Sequence, residues 1–402
     1  MTAAITAADN GHDVVLFDKN EKLGKKLYIT GKGRCNFTNA SSPENHLKNV
    51  VTNPKFLFSA EKRFDSSDAI SLMESAGVSM KVERGDRAFP TSDKSSDIIA
   101  GFSRLLKRAG VEVRLNEDVR SFVLVDQKIR SVVTTKGEYN VDAVVLATGG
   151  VSYSSTGSDG YGYKLAKSVG HSIVTPKASL VGANVSSAQG KKGVLPFENY
   201  RLQGISLKNV TISAFVDGKK AYEEFGEALF TEEGLSGPVV LTLSAYLNRF
   251  ETNDIILSLD MKPALSLEKL DERIQRDIAE APNKEVKSLL KGLLPSGLIG
   301  LYADASGIAL DKKNHSVTKE EKARLCDVLK GLSFSISGWE PIERAVVTSG
   351  GIDVKEIDAK TMKSKLIDNL FFAGEIIDVD ALTGGYNIQI ALSTGYAAGS
   401  QL

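Results

Sequence analysis

Residues 1–20 read MTAAITAADNGHDVVLFDKN. Their pattern predicts an Ala-rich helix from Thr2 to Asn10, a turn at Gly11, and a short apolar strand, Val14 to Phe17, that stops at Asp18. A helix leading into such a strand is the second half of a βαβ unit. In a dinucleotide-binding βαβ unit a glycine loop opens the helix, and the first N–H groups of the helix receive the pyrophosphate. A carboxylate about 20 positions beyond that loop holds the ribose hydroxyls. Asp18 stands where this carboxylate belongs if such a loop directly precedes Met1. The plainer alternative is a surface acid that ends an ordinary strand, and this stretch alone leaves both open.

The 402 residues suffice for two or three domains. With 42% hydrophobic and 25% charged residues the chain fits the globular class. Its 50 basic and 50 acidic residues cancel, which gives no electrostatic support for a nucleic-acid partner. Cys35 and Cys326 are too few for a disulfide framework and point to a reducing cytoplasm. Residues 1–20 lack the basic start and unbroken apolar core of a signal peptide. No apolar run is long enough to span a bilayer, so no membrane partner is expected.

Residues 1–178 read as α/β, with strands DVVLFD, VEVRL and AVVLATGG, a helix from Ser95 to Ala109, and a hairpin-like run SFVLVDQKIRSVVTTKGEYNV. The stretch LGKKLYITGKGRCNFTN reads as a loop. Near residue 180 the signals become β-rich, as in GISLKNVTISAFV and KKAYEEFGEALFT. They then turn into charged helices such as SLEKLDERIQRDIAEA and TKEEKARLCDVLKGL. The carboxyl end returns to α/β. The predicted organisation is an α/β domain, residues 1–178 and 336–402, interrupted by an insertion over 179–335. That insertion is β-rich to 262 and helical from 263.

Three stretches carry candidate chemistry. AVVLATGG (143–150) is an apolar, buried strand ending in Ala147, Thr148, Gly149 and Gly150, where small residues let a ligand approach the carboxyl edge of a parallel sheet. A tight turn is the plain alternative. LFFAGEIID (370–378) ends a buried strand with Gly374 and Glu375. That acid can accept hydrogen bonds from a polyol such as the ribityl chain of a flavin, or can merely cap a helix. Thr383, Gly384 and Gly385 then precede an Ala-rich helix whose free N–H groups and positive dipole end suit the electron-rich edge of an isoalloxazine ring. Glycine before a helix is also simply common.

In KLGKKLYITGKGRCNFTN (22–39) a run of lysines with Arg34 reads as a solvated face, while Gly31, Gly33, Asn36, Thr38 and Asn39 suggest a loop that wraps a ligand. Cys35, next to Arg34, is either a reactive thiol or a small packing residue. The four histidines have no metal spacing, and Cys-x-x-Cys and Gly-x-Ser-x-Gly are absent. No metal site and no serine-hydrolase chemistry are expected.

GKKLYITGKGRCNFTN, RAFPTSDKSSD, VVLATGG, STGSDGYGYKLAKSVGH, GEALFTEEGLSGP, VTSGGI and FFAGEIIDVDALTGGYNIQIALSTG occur together and in this order. They resemble a family of bacterial flavoproteins, the NAD(P)/FAD-dependent oxidoreductases of aminoacetone oxidase-like or 3-dehydro-bile-acid reductase-like type. The resemblance runs over the whole chain. It implies a glutathione-reductase-type, Rossmann-like FAD-binding domain with an inserted β-barrel and helical subdomain. It implies that Asp18, with Lys19 beside it, binds the adenosine ribose, and that backbone near Val119 receives the adenine. The loop from Gly24 to Asn36, with Lys25, Gly33, Arg34 and Cys35, would line pyrophosphate and flavin. Ala147 to Gly150 would pass beneath the cofactor, Gly374 and Glu375 would meet its ribityl region with Asp378 nearby, and Gly384, Gly385, Tyr386, Asn387 and Ile388 would meet the isoalloxazine.

The implied activity is hydride transfer through FAD to or from a small organic substrate, of amine-oxidase or enone-reductase type. No second Gly-x-Gly-x-x-Gly unit is present, so NAD(P)H is expected as a transient donor that meets the flavin directly. No side chain stands out as an obligate acid or base.

The resemblance departs at the front. Family members begin with a strand and a Gly-x-Gly-x-x-Gly loop directly before the helix that here follows Met1. The expectation is a chain begun at an internal methionine, or a fragment, with weakened FAD binding. The alternative function is accordingly a catalytically silent flavoprotein fragment with only a binding role.

Overall fold

The computed structural model describes residues 1–186 and 200–402; residues 187–199 of the predicted β-rich segment lie outside the described residues. The chain divides into two compact units, Met1–Ser179 with Ile342–Leu402, and Leu180–Pro341.

In the first unit the opening helix, Thr2–Asp9, lies along the C-terminal helix, Tyr386–Gly399. Small residues permit the approach: a Cβ on Gly399 would stand 2.5 Å from the Ala3 carbonyl oxygen and 2.9 Å from Thr6 Cβ. Strand Val15–Asp18 then pairs in parallel with Glu112–Leu115, Asp18 opposite Leu115. Strand Val144–Leu146 pairs in parallel with Leu370–Phe372. These are two separate two-stranded sheets.

The partners differ in burial. Leu370, Phe371 and Phe372 are buried, whereas Val144 and Val145 are half-buried and Val15 is 40% exposed. The expectation of a fully buried AVVLATGG strand therefore fails for its two valines, because this strand has a ladder on one side only.

The hairpin-like run forms a meander of Val119–Val125, Lys128–Thr134 and Glu138–Asn140. Its first turn is tight, with positive φ at both Asp126 and Gln127, the geometry that matches strand twist in two-residue hairpins. The stretch read as a loop over 22–39 contains a short helix, Lys25–Ile29, and a kinked turn, Thr30–Gly33. The glycines masked the helical Lys-Lys-Leu-Tyr-Ile run between them.

The second unit is a closed six-stranded barrel in the order 183–186, 234–236, 219–230, 206–216, 255–260, 332–339. Leu207 and, beyond a break in register, the alternate residues Val210, Ile212 and Ala214 pack in the core with Leu257, Leu259, Phe230 and Phe334. Amphipathic helices Leu267–Glu280 and Lys319–Gly331 bury Leu270, Ile274, Leu325 and Leu329 in the same core. Thr318 and Glu321 cap the latter reciprocally.

Two sequence expectations are corrected here. Helix Pro238–Leu247 falls in the segment read as β, because its all-round apolar run has the composition of a strand. The segment taken as helical to 335 ends in barrel strand Leu332–Trp339, which carries the insertion on to Pro341. No helix among the described residues is long and apolar enough to cross a membrane.

Candidate cofactor site

Three groups of predicted residues come together in the first unit. The first is built around Glu375, just beyond strand Leu370–Phe372. Its Oε1 accepts from the Thr348 N–H (2.9 Å) and Ser152 Oγ (3.0 Å), and its Oε2 accepts from Lys26 Nζ (2.5 Å). Lys26 also donates to Ser152 Oγ at 2.7 Å. Thr348 Oγ1 accepts from the N–H groups of Val151 and Ser152. A Cβ on Gly150 would stand 2.7 Å from Thr348 Cβ and 3.2 Å from Glu375 Oε1, so this position admits only glycine. Gly374, at φ +77°, faces Ala391 of the C-terminal helix.

The acid and the ATGG turn thus meet. Ser152 and Thr348 are members that sequence reasoning did not assign, and Lys26 lay within the predicted loop without being singled out. The signal for them lay in KKLYI, in the small residues after ATGG, and in VTSGG.

The second group is the start of helix Tyr386–Gly399. Gly384 and Gly385 have φ +131° and +101°, and no side chain caps the helix. The N–H groups of Tyr386, Asn387 and Ile388 donate to nothing among the described residues. Asn387 turns its side chain back onto the preceding loop, accepting from Ala381 N (2.9 Å) and donating to Ala381 O (2.7 Å). Ile388 packs in the cluster that contains Ile5 and Leu392. A Cβ on Gly385 would stand 2.5 Å from Thr38 O and 2.9 Å from Asn39 N. The glycine is therefore required for packing of the helix start on strand Thr38–Asn39.

The third group surrounds Asp18. Its Oδ1 accepts from the Asn20 backbone and side chain (2.9 and 3.0 Å), and Oδ2 has no hydrogen-bond partner among the described residues. A polar cleft of about 440 Å³ opens beside it, lined by Lys19, Asn20, Asp118 and Arg120 among others. Lys19 is paired with Asp159 at 2.7 Å. Val119 opens its strand between the cleft residues Asp118 and Arg120.

The remaining predicted residues are placed as follows. Gly24 lies against Ile99, and Lys25 pairs with Glu21 at 2.8 Å. Arg34 bridges Glu83 (2.5 Å) and Asp93 (2.6 Å) and lies over the Phe89 ring at 4.2 Å, so its charge is spent within the protein. Cys35 is fully buried, and burial pushes its thiol up to about 12. It is the packing residue of the two readings, and not a reactive thiol. Gly33 keeps a positive φ (+86°). Asn36 Oδ1 is buried without a partner. Ala147 and Thr148 are exposed, and Gly149 turns at φ +74°. Asp378 accepts from Asn53 Nδ2 (3.1 Å), and burial raises its carboxyl. Among the described residues no group of three or more His, Cys, Asp or Glu is placed to hold a metal ion.

FAD fits this set. An orphaned buried amide oxygen on Asn36, an uncapped helix start and a polar cleft beside a half-free carboxylate are the groups that such a cofactor would satisfy. A Rossmann-type α/β unit and a six-stranded barrel place the chain in the class of flavin-dependent oxidoreductases. The chain belongs to the family of HI0933-like proteins, whose Rossmann domain matches residues 1–401.

The chain is 32% identical to the ribosomal RNA dihydrouridine synthase of Haemophilus influenzae, over 98% of this chain and 93% of that one. It is 27% identical to the 3-dehydro-bile acid delta(4,6)-reductase of Clostridium scindens, over 99% of this chain and 95% of that one. Among solved structures, the 3-ketosteroid delta1-dehydrogenase of Sterolibacterium denitrificans, in complex with 1,4-androstadiene-3,17-dione, matches with a TM-score of 0.50 at 11% identity. That match covers 100% of this chain and 96% of that one, and the likeness is one of fold.

Proposed function

We propose that this chain is an FAD-dependent reductase of carbon–carbon double bonds conjugated to a carbonyl, with NAD(P)H as the transient electron donor. The activities named for the two relatives share that chemistry. One acts on the delta(4,6) unsaturation of a 3-oxo steroid acid. The other forms dihydrouridine, which is uridine with two hydrogens added across a ring double bond conjugated to a carbonyl.

The observation that carries the reading here is the uncapped start of helix Tyr386–Gly399, with unpartnered N–H groups behind two glycines. Such a dipole end stabilises negative charge, which an electron-loaded flavin edge brings. Bound FAD supplies the hydride. Asp18 would hold the ribose through its free oxygen, and Glu375, oriented by Lys26, Ser152 and Thr348, would accept from the ribityl hydroxyls.

The test is anaerobic. The FAD-loaded chain is reduced chemically and mixed either with a 3-keto-4-ene steroid or with ribosomal RNA that lacks dihydrouridine. Return of the oxidised flavin spectrum, with a product heavier by two hydrogens, supports the reading. Oxidation by neither acceptor, together with oxygen-dependent turnover of an amine, overturns it.

A further inference from the structure

Two buried titratable side chains stand behind the helix start. His46, on helix Pro43–Lys48, and Glu61, on helix Phe58–Arg63, are each 1% exposed. His46 Nδ1 lies 3.6 Å from Glu61 Oε2. Neither Glu61 oxygen nor His46 Nδ1 has a hydrogen-bond partner among the described residues.

The other ring nitrogen fixes the tautomer. His46 Nε2 is 2.6 Å from the Asn39 carbonyl oxygen. A carbonyl only accepts, so Nε2 carries hydrogen and the neutral ring turns the Nδ1 lone pair toward Glu61. An ionised Glu61 would then face a lone pair in a dry site, which is strongly unfavourable. A protonated Glu61 has a donor to give. The gap exceeds hydrogen-bond length by about 0.7 Å, within reach of a small side-chain rotation.

What this pair holds is the loop before the C-terminal helix. Asn39 sends its own Nδ2 to Gly384 O (3.2 Å) and Gly85 O (3.0 Å). Gly385 sits on the Thr38–Asn39 backbone. The Tyr386 ring meets the His46 ring edge-on, with centroids 5.1 Å apart. The segment after His46 adds main-chain ties: Leu382 N donates to Asn49 O (2.9 Å) and Val51 N to Asp380 O (2.8 Å).

We infer that Glu61 and His46 share one proton and act as positioning residues. The neutral pair fastens Asn39, and through it Gly384 and Gly385, so that the first turn of helix Tyr386–Gly399 is held in place for the cofactor. The positioning half rests on the FAD reading above; the shared proton does not.

Burial pushes the Glu61 carboxyl up to about 8, with the Asp65 charge adding to it, and burial pulls His46 down. The 3.6 Å separation would also suit an ion pair. The unpartnered carboxylate oxygens and the dry surroundings favour the neutral form instead, while the Asp65 charge raises both groups and does not discriminate. Of the other groups around the pair, Asp65 caps helix Ser66–Ser75, and the Tyr386 hydroxyl feels Asp86. Glu44, Lys48, Lys62 and Arg63, on the same two helices as the pair, are exposed.

The test begins with the full chain free of cofactor. Thermal unfolding of wild type and Glu61→Gln is compared from pH 5 to about 9. A carboxyl kept protonated by folding costs the wild type stability as pH rises from the ordinary value of 4.5 to about 8. The amide of Glu61→Gln has no such proton. Its melting temperature relative to wild type must climb across that window and level off above it. A flat or falling difference overturns the shared proton.

The second arm measures FAD dissociation constants. His46→Leu removes the donor to Asn39 and should weaken FAD about tenfold. His46→Gln, whose amide can reach the same carbonyl, should recover most of that loss. Wild type should bind FAD more weakly at pH 9 than at pH 7, and Glu61→Gln should not. Equal FAD affinity in His46→Leu and wild type, or the same pH slope in Glu61→Gln, overturns the positioning role. No FAD binding by wild type at any pH overturns the cofactor reading and the positioning role together, while the first arm still decides the proton.

Discussion

Replacing Gly385 with alanine tests how the C-terminal helix is seated. The residue sits at φ +101°, and its missing Cβ would stand 2.5 Å from Thr38 O and 2.9 Å from Asn39 N. Both neighbours are backbone atoms of a strand and cannot swing aside. The backbone conformation costs an L-residue about 1–2 kcal/mol. The overlap adds about 1–3 kcal/mol, the usual range for forced repacking. Gly11 is an internal control in the same unit: its φ is +92°, and nothing lies within 4 Å of where its Cβ would be. Gly11→Ala should therefore cost only the conformational share, about 1–2 kcal/mol. Urea unfolding followed by circular dichroism gives both values, and their difference isolates the contact with strand Thr38–Asn39. Equal losses for the two variants would refute the close seating of Gly385 on that strand.

Other outcomes follow from the site. Asp18→Ala should weaken FAD but not FMN, by about 1.5–3 kcal/mol for a lost charge-assisted hydrogen bond; calorimetric titration with both flavins checks this. A double-mutant cycle of Lys26→Met and Glu375→Gln should return a coupling of about 1–2 kcal/mol in unfolding free energy. The pair is 27% and 18% exposed, between the surface and buried limits. Cys35 should resist iodoacetamide in the native chain at pH 8 and react fully once unfolded, because burial raises its thiol to about 12. Mass spectrometry of the alkylated peptide reads the difference directly.

The α/β frame was legible because its signals are local. A strand ending in Asp18, an apolar run ending in ATGG and a glycine pair before an Ala-rich helix all mark positions where backbone chemistry leaves few choices. The barrel was legible as β-rich, but helix Pro238–Leu247 was not. Its unburied positions, such as Leu241 and Tyr246, are largely apolar too, so no polar stripe betrays the period. Within the site, Glu375 and Gly150 could be nominated from their motifs. Lys26, Ser152 and Thr348 were not singled out, because no local pattern ties them to Glu375, which lies 349, 223 and 27 positions away. Arg34 illustrates the converse. Its motif suggested a cofactor contact, yet Glu83 and Asp93, about 50 to 60 positions away, claim the guanidinium first. The His46–Glu61 pair leaves no trace in spacing, since burial creates its chemistry.

The barrel unit has a bearing on how the chain reaches its fold. Its two ends are side by side: strand Ala183–Ser186 pairs with Leu332–Trp339, and Glu340 N donates to Gly182 O at 2.9 Å. Strand Ile173–Ser179 must pair with Val347–Ile352, and Val144–Leu146 with Leu370–Phe372, across everything in between. Once Leu180–Pro341 has closed on itself, Ser179 and Val347 are separated in effect by a turn of a few residues, and Leu146 and Leu370 by about 60 residues. For the first pair about five doublings of loop length are removed, which lowers the entropic cost of closure by about 3 kcal/mol, and for the second about two doublings, or about 1 kcal/mol. A barrel that forms early would act as a kinetic clasp, drawing the two halves of the FAD-binding unit into register at the cost of a short loop.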